Sequence, residues 1–191
     1  MRVVAFNGSA RKGGNTAIML QTVLAELAAE GVQTELIELA GVRLTGCEAC
    51  YTCRQRKDRR CVVPGDPLND YVEKMCEADG ILLGSPVYFS DVTAGMKALI
   101  ERAGLVTRVN GDLLRRKVGA GVVAVRRGGA IHAFDTLLHF FTIGQMVVVG
   151  SSYWNLGIGL EPGAVRKDEE GLATMRTLGQ NMAWALNKLR G

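Results

Sequence analysis

Four closely spaced cysteines could hold an inorganic centre. Cys47, Cys50 and Cys53 fall within seven residues, and Cys61 follows in the same segment, which reads G-C-E-A-C-Y-T-C-R-Q-R-K-D-R-R-C. Cysteine thiolate is the usual protein ligand of iron–sulfur clusters and a common ligand of zinc. Structural zinc sites usually combine two separated pairs of ligands, which differs from three close cysteines and a more distant fourth. The residues alone leave open a cluster, a zinc site, a redox disulfide and a loop without metal.

A glycine-rich turn near the N-terminus could hold a phosphate. Residues 8–16 read G-S-A-R-K-G-G-N-T and lie between an apolar run and the first helical pattern. Glycines let the backbone approach a ligand closely, and the start of a helix offers unpaired N–H groups. Ser9, Asn15 and Thr16 add hydroxyl or amide donors, and Arg11 adds a guanidinium. Because the segment lacks the Walker A ending and the dinucleotide fingerprint, we predict a site for a terminal phosphate.

Two later loops carry residues suited to a flat ring. Pro86 stiffens the segment G-S-P-V-Y-F-S, in which Tyr88 and Phe89 offer aromatic faces. Residues 124–129 (A-V-R-R-G-G) combine glycines, which allow close backbone approach, with arginines that could stabilise negative charge on a reduced flavin. Alternatively, the aromatic residues only cover the end of a strand, and the second loop is a mobile basic turn.

Apolar runs alternate with helical patterns along the chain, and this alternation predicts the fold. The predicted strands are residues 2–7, 32–39, 80–84, 118–125 and 146–149, and the predicted helices are 15–30, 66–78, 94–103, 131–144 and 171–189. Strands that alternate with helices form parallel βαβ units. We therefore predict an α/β, flavodoxin-like three-layer α/β/α sandwich with a five-stranded parallel sheet in the order 2-1-3-4-5. Residues 1–191 should form a single flavodoxin-like domain with a cysteine-rich insertion at about 44–65.

Composition narrows the class of protein. The net charge of +4 in 191 residues is too small to indicate binding to nucleic acid or to a membrane. No apolar run reaches the ~18–20 residues that span a bilayer, and residues 1–6 are too short an apolar run for a signal peptide. Five cysteines, mostly clustered, favour a reducing compartment. We expect a cytoplasmic enzyme.

The loop motifs together resemble a known family. The segments G-S-A-R-K-G-G-N-T and G-S-P-V-Y-F, with Met96-Lys97 and the closing W-N-L-G-I-G, D-E-E-G-L and L-G-Q-N, are similar to the NADPH-dependent FMN reductase branch of the flavodoxin-like superfamily, over almost the whole chain. The resemblance implies FMN, with NAD(P)H as a possible co-substrate and no catalytic side chain, because the flavin N5 is the reactive centre. The cofactor-binding residues that it implies are Ser9, Arg11, Gly14, Asn15, Thr16, Pro86, Val87, Tyr88, Phe89, Arg126, Gly128 and Gly129.

The cysteine segment resembles that of the iron–sulfur flavoproteins within this family. The resemblance implies a [4Fe-4S] cluster beside FMN, with Cys47, Cys50, Cys53 and Cys61 as its ligands. It also implies a homodimer or homotetramer that relays electrons from a ferredoxin-like or NAD(P)H donor, through FMN and the cluster, to a small-molecule acceptor. The alternatives are a cluster-free NAD(P)H-dependent reductase of FMN, quinones, nitro compounds or metal oxyanions, and a non-catalytic flavin-binding partner protein that senses redox state.

Three further features have less specific interpretations. Five of the seven residues 54–60 are cations, which indicates a docking patch for an acidic donor such as ferredoxin or a solvated loop. Cys76 lies in the middle of a predicted helix, so we expect a buried structural thiol. Trp154 and Trp184 are predicted to be packing residues.

Overall fold

Strands and helices alternate throughout the computed structural model, which describes residues 1–190. The strands are β1 (Arg2–Asn7), β2 (Gln33–Glu38), β3 (Gly80–Pro86), β4 (Val118–Val125), β5 (Val147–Val148) and β6 (Leu156–Ile158). The α-helices are α1 (Asn15–Ala29), α2 (Thr52–Arg56), α3 (Leu68–Glu77), α4 (Ala94–Val109), α5 (Ala130–Ile143) and α6 (Glu169–Arg190), and a 3₁₀ turn spans Ala164–Lys167.

The strands form a parallel sheet in the order β2-β1-β3-β4-β5, with β6 also paired to β4. This order confirms the predicted flavodoxin-like topology. All eight residues of β4 are buried, as are the first six of β3. Strands covered by helices on both faces read as continuous apolar runs, which explains why these strands are recognisable from the sequence.

Two apolar cores lie on opposite faces of the sheet. Val4 and Phe6 of β1 pack with residues of α3, α4 and α5, whereas Val3 and Ala5 pack with residues of α1 and α6. Successive side chains of a strand point to opposite faces, so β1 serves both cores. Among the helices of residues 1–190, none combines the length and the hydrophobicity that a membrane span requires.

The fifth strand position is divided between two short strands. β5 pairs with Val118 and Gly119 at the start of β4, and β6 pairs with residues at its end. Between them the chain leaves the sheet and returns at Asn155, whose side chain donates to the Gly121 carbonyl at 3.0 Å. The predicted strand 146–149 is therefore shorter than expected, and β6 was not predicted. β6 leads the following residues to the carboxyl edge of the sheet.

Helix α4 is longer than predicted, and α2 lies within the cysteine segment. The hydroxyl of Thr93 caps α4 by accepting from the Met96 N–H at 3.2 Å. The helix continues through Gly104 to Val109, and a Cβ placed at Gly104 would make an ordinary van der Waals contact of 3.6 Å with the Phe140 ring. Helices α2 and α4 contact each other, and Asn110, directly after α4, donates to the Cys53 carbonyl at 3.4 Å, so the end of α4 supports the cysteine segment.

Candidate functional site

The predicted phosphate loop is a closed turn at the start of α1. Ser9 is buried, and its hydroxyl accepts a hydrogen bond from the Arg11 N–H at 3.1 Å. The Gly14 N–H donates to the Arg11 carbonyl at 3.1 Å. Gly14 precedes the helix and supplies no side-chain cap, so the first N–H groups of α1 are left for another acceptor. An anion bound here would be favoured by those groups and by the helix dipole.

Direct hydrogen bonds fix this loop to the loop that follows β3. The Gly8 N–H donates to the Gly84 carbonyl at 2.7 Å, and the Thr93 hydroxyl donates to the Gly8 carbonyl, also at 2.7 Å. The Thr93 N–H in turn donates to the Ser85 hydroxyl at 3.0 Å. The two loops therefore hold a fixed position relative to each other before any ligand binds.

A cleft of about 110 Å³ lies where the loops meet at the carboxyl edge of the sheet. Its lining includes most of the predicted cofactor-binding residues and three that were not predicted. The lining residues are Ser9, Arg11, Asn15, Thr16, Pro86, Val87, Tyr88, Ala124, Arg126, Gly159 and Leu160. The structure thus brings together loops that are more than 100 residues apart in the chain, with Arg11 and Arg126 both in the lining.

Four of the predicted residues do not line this cleft. Phe89 is fully exposed and has a positive φ of 48° in the turn after Tyr88. A Cβ placed at Gly128 would have no other atom within 4 Å, whereas a Cβ placed at Gly14 would lie 3.1 Å from the Arg11 carbonyl oxygen. Gly129 has a φ of 86°, and a Cβ there would lie 2.9 Å from the Ser90 Cα, so its small size permits close approach of two loops.

The loop after β6 forms a wall of the cleft that sequence reasoning missed. The Arg11 guanidinium donates to the Leu160 carbonyl at 3.1 Å, and the Asn15 amide donates to the Glu161 carbonyl at 2.9 Å. A Cβ at Gly159 would lie 2.7 Å from the Val165 nitrogen. Two side chains predicted to bind phosphate therefore also hold this wall. The glycines of W-N-L-G-I-G were the available signal, although they indicated only family resemblance.

The four clustered cysteines face a second, smaller cavity of about 20 Å³. Cys47 and Cys50 are exposed, Cys53 is buried in the first turn of α2, and Cys61 is partly buried. Positive φ angles at Ala49 (52°) and Tyr51 (54°) curl the chain between them. Besides the cysteines, the lining residues are Glu48, Tyr51, Val62, Val63, Arg102, Leu105 and Val106. The cavity shares no lining residue with the cleft.

The thiols differ in their surroundings. Hydrogen bonds from the Thr52 side chain and backbone lower the pKa of the exposed Cys50. Burial raises the pKa of Cys53, as does the proximity of the other three thiols. Within residues 1–190, no three histidine, cysteine, aspartate or glutamate side chains converge closely enough to hold a single metal ion. The thiols surround a cavity without forming a preformed single-ion site.

The remaining sequence features lie outside both cavities. Arg59 and Arg60 line a third cavity of about 360 Å³ with Cys76, whose pKa is raised by burial. Cys76 is half-buried rather than fully buried as expected. The packing role expected for Trp154 and Trp184 is wrong, because these side chains are 53% and 65% exposed.

Comparison with known proteins identifies the family. The profile of the family described as NADPH-dependent FMN reductase matches residues 1–161. The chain belongs to that family. An iron-sulfur flavoprotein of Methanocaldococcus jannaschii is 39% identical to this chain, and the match covers 96% of both chains. The iron-sulfur flavoprotein of Methanosarcina thermophila is 32% identical over 92% of this chain and 90% of its own length.

Solved structures show the same fold for this FMN reductase family member. RosB, solved with bound 8-demethyl-8-formylriboflavin-5'-phosphate, superposes with a TM-score of 0.77 at 19% identity, over 100% of this chain and 80% of RosB. A WrbA-like flavodoxin from Agrobacterium tumefaciens gives a TM-score of 0.66 at 17% identity, over 98% and 97% of the two chains. The protein is thus a flavin-binding oxidoreductase of the FMN reductase and iron-sulfur flavoprotein family.

Proposed function

We propose that the protein is an FMN-dependent electron-transfer oxidoreductase of the iron-sulfur flavoprotein type, with a [4Fe-4S] cluster on Cys47, Cys50, Cys53 and Cys61. It would accept electrons from a ferredoxin-like or NAD(P)H donor and pass them to a small acceptor. The observation that carries the proposal is that all four cysteines line one cavity in a chain that also has a glycine-rich turn and a cleft at the carboxyl edge of its sheet.

The cleft suits the phosphate and ring of FMN. Thr16 and the free N–H groups of the first turn of α1 would bind the phosphate, with Arg11 supplying positive charge. Pro86, Val87 and Tyr88 would contact the ring, and Arg126 lies on the same cleft, where a cation stabilises negative charge. The cleft encloses only about 110 Å³, so an FMN would lie partly on its open side, accessible to a donor or acceptor. When bound, the flavin supplies hydride and single-electron chemistry.

The cysteine cavity suits a cluster better than a single ion. A tetrahedral zinc site would need its sulfur atoms about 2.3 Å from a common ion, whereas each thiolate of a four-iron cluster binds a different iron and the sulfurs stand farther apart. All four thiols border the same space, as the ligands of one cluster would. The cluster would supply one-electron transfer, and the exposed Cys47 and Cys50 would leave one side accessible to a partner.

A cluster-free NAD(P)H-dependent reductase is the second candidate. The flavin cleft and the cysteine cavity share no lining residue, so the cleft is complete without a cluster. Such an enzyme would reduce FMN, quinones, nitro compounds or metal oxyanions and would not need a one-electron donor.

Iron and acid-labile sulfide, measured per FMN in protein purified without oxygen, distinguish the two candidates. A four-iron cluster requires about four of each per flavin. FMN with neither iron nor sulfide would support the cluster-free reductase. FMN with iron but no sulfide would contradict the cluster and indicate a different metal centre.

A further inference from the structure

A fully buried arginine lies behind the cysteine cavity. Arg102, on α4, has only 1% of its side chain exposed, and its Nε and Nη2 atoms lie 3.4 and 3.5 Å from the Cys61 sulfur. The same guanidinium donates to the carbonyls of Thr45 at 3.4 Å and Val63 at 3.2 Å. It also forms an ion pair with the buried carboxylate of Asp66.

These contacts close the cysteine segment from both sides. Thr45 precedes the first cysteine and Val63 follows the last, so the same planar group holds the two ends of the segment. Burying a cation is costly unless it is paired and hydrogen-bonded. Asp66 alone would neutralise the charge, yet two of the N–H groups are directed at a thiol instead. Arg102 therefore contacts a thiol of the segment as well as the backbone at its two ends.

Cys61 is held at its backbone and at its sulfur. The Cys61 N–H donates to the Asn69 side-chain oxygen at 2.8 Å, and the Asn69 amide donates to the Cys61 carbonyl at 3.0 Å. Arg102 completes the set by contacting the sulfur. On the same helix, Glu101 accepts from the Cys47 N–H at 3.3 Å, so adjacent residues of α4 contact the first and the last cysteine.

We propose that Arg102 is a positioning residue that holds Cys61 as the fourth cluster ligand and raises the reduction potential of the cluster; this rests on the proposed function. N–H groups directed at ligand sulfurs, together with a buried positive charge, stabilise the more negative, reduced state. The effect is large in a dry site because charges there are poorly screened. Loss of the hydrogen bonds should lower the potential, and loss of the Asp66 carboxylate should raise it.

Substitutions of opposite expected sign test this role in anaerobic holoprotein. Asp66→Asn keeps Arg102 and an oxygen that can accept from the Leu68 N–H, as Asp66 does at 3.2 Å, but removes the opposing charge, so the cluster potential should rise. The double variant Arg102→Met, Asp66→Asn removes the pair and the hydrogen bonds to sulfur, so the potential should fall. We expect each shift to reach a tenfold change in the one-electron equilibrium, about 59 mV. If Arg102→Lys replaces Arg102→Met in this double variant, part of the fall in potential should be recovered.

Arg108→Met is the matched control, because Arg108 lies on the same helix and donates to the Ile143 carbonyl at 2.9 Å, away from the cysteines. A purely structural role would change stability without moving the potentials in opposite directions. One-electron equilibrium constants of all variants within twofold of the control, a difference of about 18 mV in potential, would overturn the inference while leaving the proposed function intact. Wild-type protein with FMN but no iron or sulfide would instead refute the cluster itself, and the inference with it.

Discussion

Two polar side chains of the cleft already bind backbone carbonyls of a neighbouring loop. Arg11 and Asn15 were predicted to bind phosphate, and their side chains donate to carbonyls of the loop after β6. Thr16 is almost fully buried and lines the cleft at the start of α1. Phosphate binding would therefore add to contacts that already order the site, which limits the reorganisation that a ligand must impose.

The double variant Arg11→Ala, Thr16→Ala should weaken FMN binding. Each substitution removes a hydrogen bond to phosphate worth about 1–3 kcal/mol, the larger value applying to the charged donor. Quenching of flavin fluorescence on binding would give the dissociation constant. Lys12→Ala is the control, since Lys12 is an exposed cation of the same loop that does not line the cleft. An unchanged affinity in the double variant would contradict the phosphate assignment.

Replacement of Cys53 with serine should abolish iron binding and leave FMN bound. Cys53 is the buried member of the four, so its thiolate would be the ligand least replaceable by water. Iron, sulfide and flavin content, measured per chain, report the outcome. Cys76→Ser is the matched control because Cys76 lies in α3 and lines a different cavity. Cys53→Ser protein with wild-type iron content would show that the ligand set is wrong.

At the level of elements, the sequence contains strong signals for buried strands and weak ones for tertiary contacts. β1 and β4 were predicted with the bounds that they have in the structure, because continuous apolar runs between glycine or polar turns identify central strands. β6 has three residues and depends on pairing with β4, which no local pattern reveals. Arg102 was also missed, since its burial results from the segment between Thr45 and Asp66, which precedes it by 36 to 57 residues.

A substitution at Gly159 tests how tightly the loop after β6 packs against its neighbours. Gly159→Ala should destabilise the protein and weaken FMN binding, because its Cβ would approach the Val165 nitrogen to 2.7 Å and push the wall of the cleft outward. Overpacking of this kind costs about 1–3 kcal/mol in the free energy of unfolding. Urea unfolding and FMN titration measure the two effects. Gly150→Ala is the control, as a Cβ there meets nothing within 4 Å; equal behaviour of the two variants would contradict the tight contact.

At the scale of the whole molecule, α4 connects the two candidate sites. Its N-terminal cap, Thr93, binds the Gly8 carbonyl of the phosphate loop, and Glu101 and Arg102 contact the cysteine segment two turns later. The cleft and the cysteine cavity are otherwise lined by different residues. A rigid helix that contacts both sites would keep the separation between flavin and cluster fixed within a subunit.

A surface formed by two exposed aromatic side chains predicts association of subunits. Tyr153 and Trp154 are each more than half exposed, with ring centroids 4.7 Å apart. Aromatic side chains are enriched at protein interfaces, where they supply much of the buried contact area. We expect light scattering coupled to size-exclusion chromatography to give the mass of a dimer or tetramer for the wild type. Trp154→Ser should shift the protein toward the monomer, whereas Ile143→Ser, at an exposed apolar residue of α5 outside this surface, should leave the mass unchanged. A Trp154→Ser protein that retains the wild-type mass at every concentration would exclude this surface as the interface.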